Sequence, residues 1–262
     1  MTILVTGGTG TLGKLVVPRL RDAGAEVRVL SRHPRQDSAG VSYLAADLDT
    51  GEGVAAAMAG ARTVVHLAGA RKGDDVKTRT VTDAAREAGA EHIVLISVVG
   101  ADRVPQDGRV DRALFGYFGM KLATEHIVEQ SGLPWTTLRA SQFHDLLLMT
   151  ARGLAKLPVV PVFSGVRFQP IETAEVAERL TELALGSPAG LVPDVAGPEI
   201  LSMRDIVRSY LRAAGRRRVL LPVHAPGRAS QAVRDGANLA PDRRTGKRTW
   251  AQFLDDRLGS AG

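Results

Sequence analysis

No cysteine occurs among the 262 residues, which excludes disulfides, thiolate nucleophiles and thiolate metal sites. Aromatic residues make up only 4%, too few for a surface that stacks successive bases. No stretch approaches eighteen consecutive apolar residues, so no segment is expected to span a bilayer, and no membrane partner is expected. Lysine is scarce too, with 6 against 28 arginines. The opening MTILVTGGTG lacks the basic start and apolar core of a secretory leader and reads as folded structure, so a cytoplasmic location is expected. No cluster of histidine and carboxylate has ligand spacing, and no metal is expected.

What remains is the composition of a globular protein, 44% hydrophobic and 24% charged. The length suits one large α/β domain, or a nucleotide-binding domain with a small appendage. The net charge of +6 gathers in the C-terminal half, as in RRR at 216–218 and RRTGKR at 243–248. Such stretches can meet phosphate backbones, but no nucleic-acid fold signature accompanies them, and general use of arginine for lysine accounts for the balance.

Strand and helix signals alternate through the first half. Apolar runs at 2–5, 26–30, 41–47, 62–69, 92–97 and 133–140 read as strands, and 12–24, the alanine-rich stretch to Met58, 74–89 and 117–132 as helices. Near-continuous apolar strands are those covered by helices on both faces. The expected fold is therefore a Rossmann-type, doubly wound parallel sheet, over 1–140. Beyond 140 the pattern is irregular, with helices near 173–186 and 202–214 and a tail from 223 that reads partly as loop. Residues 141–262 are expected to form a small substrate-side lobe, with parts of 163–200 returning to the sheet.

The turn TGGTGTLG at 6–13 carries Gly7, Gly10 and Gly13 at GxxGxxG spacing, and Gly8, Gly10 and Gly13 at GxGxxG spacing. It follows a strand and opens a helix, where glycine lets a pyrophosphate approach the helix N-terminus. Gly7, Thr9, Gly10, Thr11, Leu12 and Gly13 are thus candidate cofactor residues. An NAD site would place a carboxylate at the end of the second strand. Here Ser31, Arg32, His33, Pro34 and Arg35 follow, and Arg32 and Arg35 suit a 2′-phosphate, so NADP(H) is expected over NAD(H). Asp47 and Leu48, past the third strand, are candidates for the adenine edge; the alternative for Asp47 is a helix cap.

TGGTGTLG, VLSRHP, HLAG at 66–69, ISVVGAD, YFGMK at 117–121 and LPWTTLRASQFHD fall in an order that resembles the atypical short-chain dehydrogenase/reductases, specifically the NmrA-like NAD(P)H-binding branch. The resemblance covers residues 1 to about 215 and implies cofactor contacts at Leu67, Ala68 and Gly69. It also implies that Tyr117 and Lys121 are the YxxxK pair and that Ser97, ending the fifth strand, is the substrate-polarising serine. With three tyrosines and six lysines in the chain, chance supplies about 0.07 such pairs. Residues four apart share a helix face. A phenol titrates near pH 10, and a neighbouring ammonium favours its ionised form while also reaching the nicotinamide ribose.

Gln142, Phe143 and His144 follow the sixth strand, at the strand edge where ligands bind in such sheets, and are candidate substrate residues. His66 reads as packing. The expected activity is NADP(H)-dependent hydride transfer to a small carbonyl or enone-like substrate, with Tyr117 protonating the product oxygen. The alternative is a non-catalytic NADP(H)-sensing regulator with a protein partner. A nucleotide-sugar epimerase fits less well, because the C-terminal lobe is short. A monomer or homodimer is expected.

Overall fold

The computed structural model describes residues 1–69 and 73–259. In chain order the elements are β1 (Thr2–Thr6), α1 (Gly13–Asp22), β2 (Glu26–Ser31), β3 (Val41–Ala45), α2 (Val54–Met58), β4 (Thr63–His66), α3 (Asp74–Glu87) and β5 (His92–Val98). They continue through α4 (Arg109–Glu129), β6 (Trp135–Ala140), α5 (His144–Leu154), β7 (Val159–Phe163), β8 (Arg167–Phe168), α6 (Thr173–Leu185) and β9 (Gly190–Leu191). The last are β10 (Leu201–Ser202), α7 (Met203–Ala213), β11 (Val219–Val223), α8 (Arg228–Arg234) and α9 (Trp250–Leu258).

The chain divides into two compact units. The first comprises Met1–Ser97, Met120–Leu138 and Ala174–Pro193. Strands from it make up most of a seven-stranded sheet in the order β3-β2-β1-β4-β5-β6-β9. β1 pairs in parallel with β2 and β4, β2 with β3, β4 with β5, and β6 with β9. Ile3, Leu4, Val5, Val64, Val65, Ile93 and Val94 are all fully buried, as strands covered on both faces require. Leu4, Met58, Val64, Val81, Ala85, Leu95 and Val128 form one apolar cluster under this sheet. This is the Rossmann-type α/β fold expected. Chain order reverses between β1 and β4, and the loops that leave these two strands lie at the carboxyl edge where such sheets bind ligands.

The second unit comprises Val98–Gly119, Arg139–Thr173 and Asp194–Gly262. Its main cluster unites Leu147, Leu148 and Ala151 of α5, Val160 and Val162 of β7, Ile206, Val207 and Tyr210 of α7, and Trp250, Phe253 and Leu254 of α9. Trp250 and Phe253 stack with ring centroids 5.6 Å apart. The tail from 223, read from sequence as partly loop, is so over 235–249, and its last helix supplies Trp250, Phe253 and Leu254 to this core. Its last helix opens with a capping box in which Thr249 and Gln252 satisfy each other's backbone N–H groups.

Two further differences from the sequence reading have local causes. α4 begins at Arg109, eight residues before the expected start. The Asp111 carboxylate accepts from the N–H groups of Gly108 and Ala229, and Phe115 and Phe118 pack against Val104, Val166 and Val233. The polar stretch is thereby anchored as helix. α5 went unseen because HDLLLMTARGL is apolar on nearly every face, with Leu147 and Leu148 buried and Leu146 and Met149 exposed. Among the described residues no helix is long and apolar enough to cross a membrane.

Phe253 is fully buried between Trp250 and His144. Phe253→Ala is expected to lower stability by about 3–5 kcal/mol, read from the midpoint of urea unfolding.

Candidate functional site: a dinucleotide cradle and a buried lysine

The turn after β1 is built by backbone contact. Gly7 has φ +68°, and a Cβ there would lie 2.6 Å from Ala68 N. A Cβ on Gly13 would lie 2.3 Å from Gly7 O and 2.5 Å from Gly8 Cα. These neighbours are main chain, so no rotamer change relieves them, and the helix start packs against the turn only as glycine. Gly10 differs: it is exposed, and a Cβ there would meet only Gly7 O, at 3.2 Å. No side chain caps α1 and its first turn holds no acid. Lys14 N, Leu15 N and Val16 N already donate to Gly10 O and Leu12 O, so it is the positive end of the α1 dipole beside bare backbone that fits a dinucleotide pyrophosphate. Thr9 is half-buried and Thr11 exposed at its rim, whereas the side chain of Leu12 is buried.

A shallow groove of about 270 Å³ adjoins this turn, lined among others by Gly8, Thr9, Lys14, Arg21, Arg35 and Tyr43. Arg32 is exposed just past β2. Asp47 does not cap α2, whose N-cap is Gly53; its carboxylate accepts from Asp49 N and shapes the turn after β3. Leu48 sits in the apolar cluster under the sheet, so its side chain faces the core.

The loop after β4 carries the second part of the site. Leu67 N donates to Thr6 O, and Ala68 N to Thr6 Oγ1 at 3.3 Å. A Cβ on Gly69 would lie 3.7 Å from Lys121 Nζ, so the ammonium stands beside this loop. Lys121 is only 5% exposed and pairs at 3.3 Å with Asp74, the buried first residue of α3. A buried ammonium needs such a partner. Asp74 is a site residue that sequence reasoning missed; paired acids at a helix start read simply as complements to its dipole.

His66 is more than packing. Thr78 Oγ1 donates to Asp74 O at 2.7 Å, so it can only accept from His66 Nε2, 3.1 Å away. Nε2 therefore carries the proton, and Nδ1 accepts from Thr6 Oγ1 at 2.7 Å. One directed chain runs Ala68 N–H, Thr6, His66, Thr78, Asp74. Burial, with the Lys121 charge adding to it, pushes the His66 imidazole down to about 3.

Tyr117 lies one turn before Lys121 on α4, is 50% exposed, and meets Phe118 edge-on at 6.2 Å. Ser97 lies near the end of β5, but its hydroxyl donates in a short hydrogen bond to the buried carboxylate of Glu125. Polarising a substrate carbonyl would require that proton to turn away from Glu125.

Of the three residues assigned to substrate from sequence, two have buried side chains. Gln142 is buried, its amide donating to Asn238 O and accepting from Gln169 N. His144 is fully buried and stacks on Phe253 at 4.9 Å, with Nδ1 3.7 Å from Glu172. That imidazole and the Arg248 guanidinium hold Glu172 down at about 2 against its burial. Phe143 is half-buried at the N-cap of α5. The structure thus gives Gln142 and His144 a place in the interior of the second unit, because both are enclosed by its own side chains.

A family model described as NAD(P)H-binding matches residues 7–183. The chain belongs to this NAD(P)H-binding family. It is 29% identical over 234 residues to the chloroplastic protein High Chlorophyll Fluorescence Phenotype 244 of Arabidopsis thaliana, covering 82% of this chain and 56% of that protein. It is 29% identical over 222 residues to a (4-alkanoyl-5-oxo-2,5-dihydrofuran-3-yl)methyl phosphate reductase of Streptomyces griseus, covering 82% and 74%. The chain therefore spans little more than half of the first relative. An NADPH-dependent quinone oxidoreductase from Escherichia coli, crystallised with NADPH, shares the fold with a TM-score of 0.80 at 18% identity, over 97% of this chain and 99% of that one.

Because native His66 resists protonation and the unfolded side chain does not, the unfolded state binds more protons below about pH 6.5. Stability present above that pH is lost on acidification toward about pH 3, at roughly 1.4 kcal/mol per pH unit. The slope for this residue is expected to vanish in His66→Asn, read from urea unfolding of both proteins between pH 7 and about pH 5, above the range where most carboxylates titrate.

Proposed function

We propose that this chain is an NADP(H)-dependent oxidoreductase that reduces a small carbonyl or enone-like substrate. What supports this reading most directly is the Lys121 ammonium, held by Asp74 beside the Gly69 loop, one helical turn from Tyr117. The reduced nicotinamide supplies the hydride when bound. Gly7 and Gly13 let the turn close on main chain, exposed Gly10 leaves the pyrophosphate its approach, and the positive end of the α1 dipole would face its charge. Lys121 would hold the nicotinamide ribose hydroxyls, and its charge, one helical turn away, would favour proton release by the Tyr117 phenol. Tyr117 gives its proton to the product oxygen and recovers one from solvent, to which it is open. The role of Ser97 is to orient Glu125 and the end of β5, with substrate contact secondary.

The name of the Streptomyces griseus relative describes an acyl-substituted unsaturated lactone, an electrophile of the same class. The preference for NADP(H) rests on Arg32, Arg35 and Lys14, and on the lack of a carboxylate in the five residues 31–35. A planar guanidinium matches a 2′-phosphate.

NADPH oxidation, followed by absorbance against ketones, enones and quinones, is expected to be lost by at least about 100-fold in Tyr117→Phe with NADPH affinity intact. Tight NADPH binding without turnover of any acceptor by the wild type would instead favour the NADP(H)-sensing regulator. Arg35→Ala is expected to weaken NADPH binding by about tenfold and to leave NADH binding within about twofold, measured by titrating cofactor fluorescence.

A further inference from the structure

The arginines at 216–218 have no part in the cofactor chemistry. In the second unit they join a row on α7: Arg204, Arg208 and Arg212, each four residues apart and all exposed. This row runs about 12 Å along one helix face. Together with Arg216, Arg217 and Arg218 it lines a groove of about 370 Å³. A second groove shares Arg217 and Arg218 and adds Lys156, Pro158 and Val219. No carboxylate lines either groove, and among the described residues none of these seven cations makes an ion pair. Arg218 alone is tethered, to the carbonyls of Ala155 and Arg217.

Val219, shared with the second groove, opens a two-stranded ribbon. β11 pairs in parallel with β7, matching Val219 to Val159, Leu221 to Pro161 and Val223 to Phe163. Strand alternation sends these six to one face, and every one is apolar. Val160 and Val162, on the opposite face, are buried in the core of the unit. On the outer face Val219 is 65% exposed, Leu221 50%, Val159 44% and Phe163 37%. Leu157, two residues before β7, is exposed as well.

We propose that this face is a docking surface for an anionic lipid bilayer. A row of unpaired guanidiniums by itself accepts any polyanion. What selects among polyanions is the apolar ribbon, which meets Arg217, Arg218 and Lys156 at Val219. Duplex nucleic acid presents phosphates but nothing that covers exposed valine and leucine, and an acidic peptide chain is polar along its length. The headgroup boundary of an anionic membrane presents phosphate diesters and hydrocarbon together. A peripheral contact of this kind needs no spanning helix, so the lack of one among the described residues does not oppose it.

The test is flotation of the full-length protein with phosphatidylcholine vesicles, with and without about one-third phosphatidylglycerol. The protein is expected to float only with the anionic vesicles, and to be released at about 1 M salt, where the screening length is roughly 3 Å. The combined R208E/R212E/R217E variant is expected to bind at least tenfold more weakly. V219S/L221S is expected to lose several-fold at low salt while keeping its salt sensitivity. If the charge reversals unfold the protein, judged by circular dichroism, glutamine at the same three positions carries the test. Absence of flotation, or equal flotation of wild type and both variants, overturns the proposal. So does binding to duplex DNA or polyglutamate that needs the three arginines when vesicles are ignored.

Discussion

Burial of one ammonium organises the cofactor side of this protein. Lys121 has almost no contact with water, and Asp74 is the carboxylate that makes its charge tolerable. Asp74 is in turn located by its place at the start of α3, and its carbonyl closes the directed chain that begins at Ala68. The imidazole in that chain stays neutral because it is buried and because Lys121 already supplies a positive charge nearby. A polar network with every proton assigned is rigid, and it ties β1, β4 and α3 together where the dinucleotide turn meets the loop after β4.

Much of the first unit was legible because its signals are local. Apolar runs, glycine stops and the turn at 6–13 each specify their own conformation, and six strands lie where the periodicity put them. Lys121 could be read too, through its spacing from Tyr117. Asp74 could not: its partner lies 47 residues further on, and nothing within its own helix distinguishes it from Asp75. Glu125 was hidden for the same reason, since only the structure brings it to Ser97.

In the second unit a position after a strand edge did not give an open side chain. His144 and Gln142 follow a strand edge, yet rings and backbone groups from residues 169–253 enclose them. The capping box at Thr249 was readable in advance as T-x-x-Q before an apolar run, and it marks a helix that the weak periodicity of the tail concealed. Most of the chain's few aromatics lie in this unit, and Tyr210, Trp250 and Phe253 are buried in its main cluster.

α4 runs without interruption through Tyr117 and Lys121, so the axial and angular offsets between their Cα atoms are set by helical geometry. Each residue advances the helix by about 1.5 Å and turns it by about 100°. A one-residue insertion or deletion between them would turn Tyr117, and with it Phe115 and Phe118, to a different side of the helix relative to Lys121. Over these four positions the proposed pairing constrains chain length as well as residue identity.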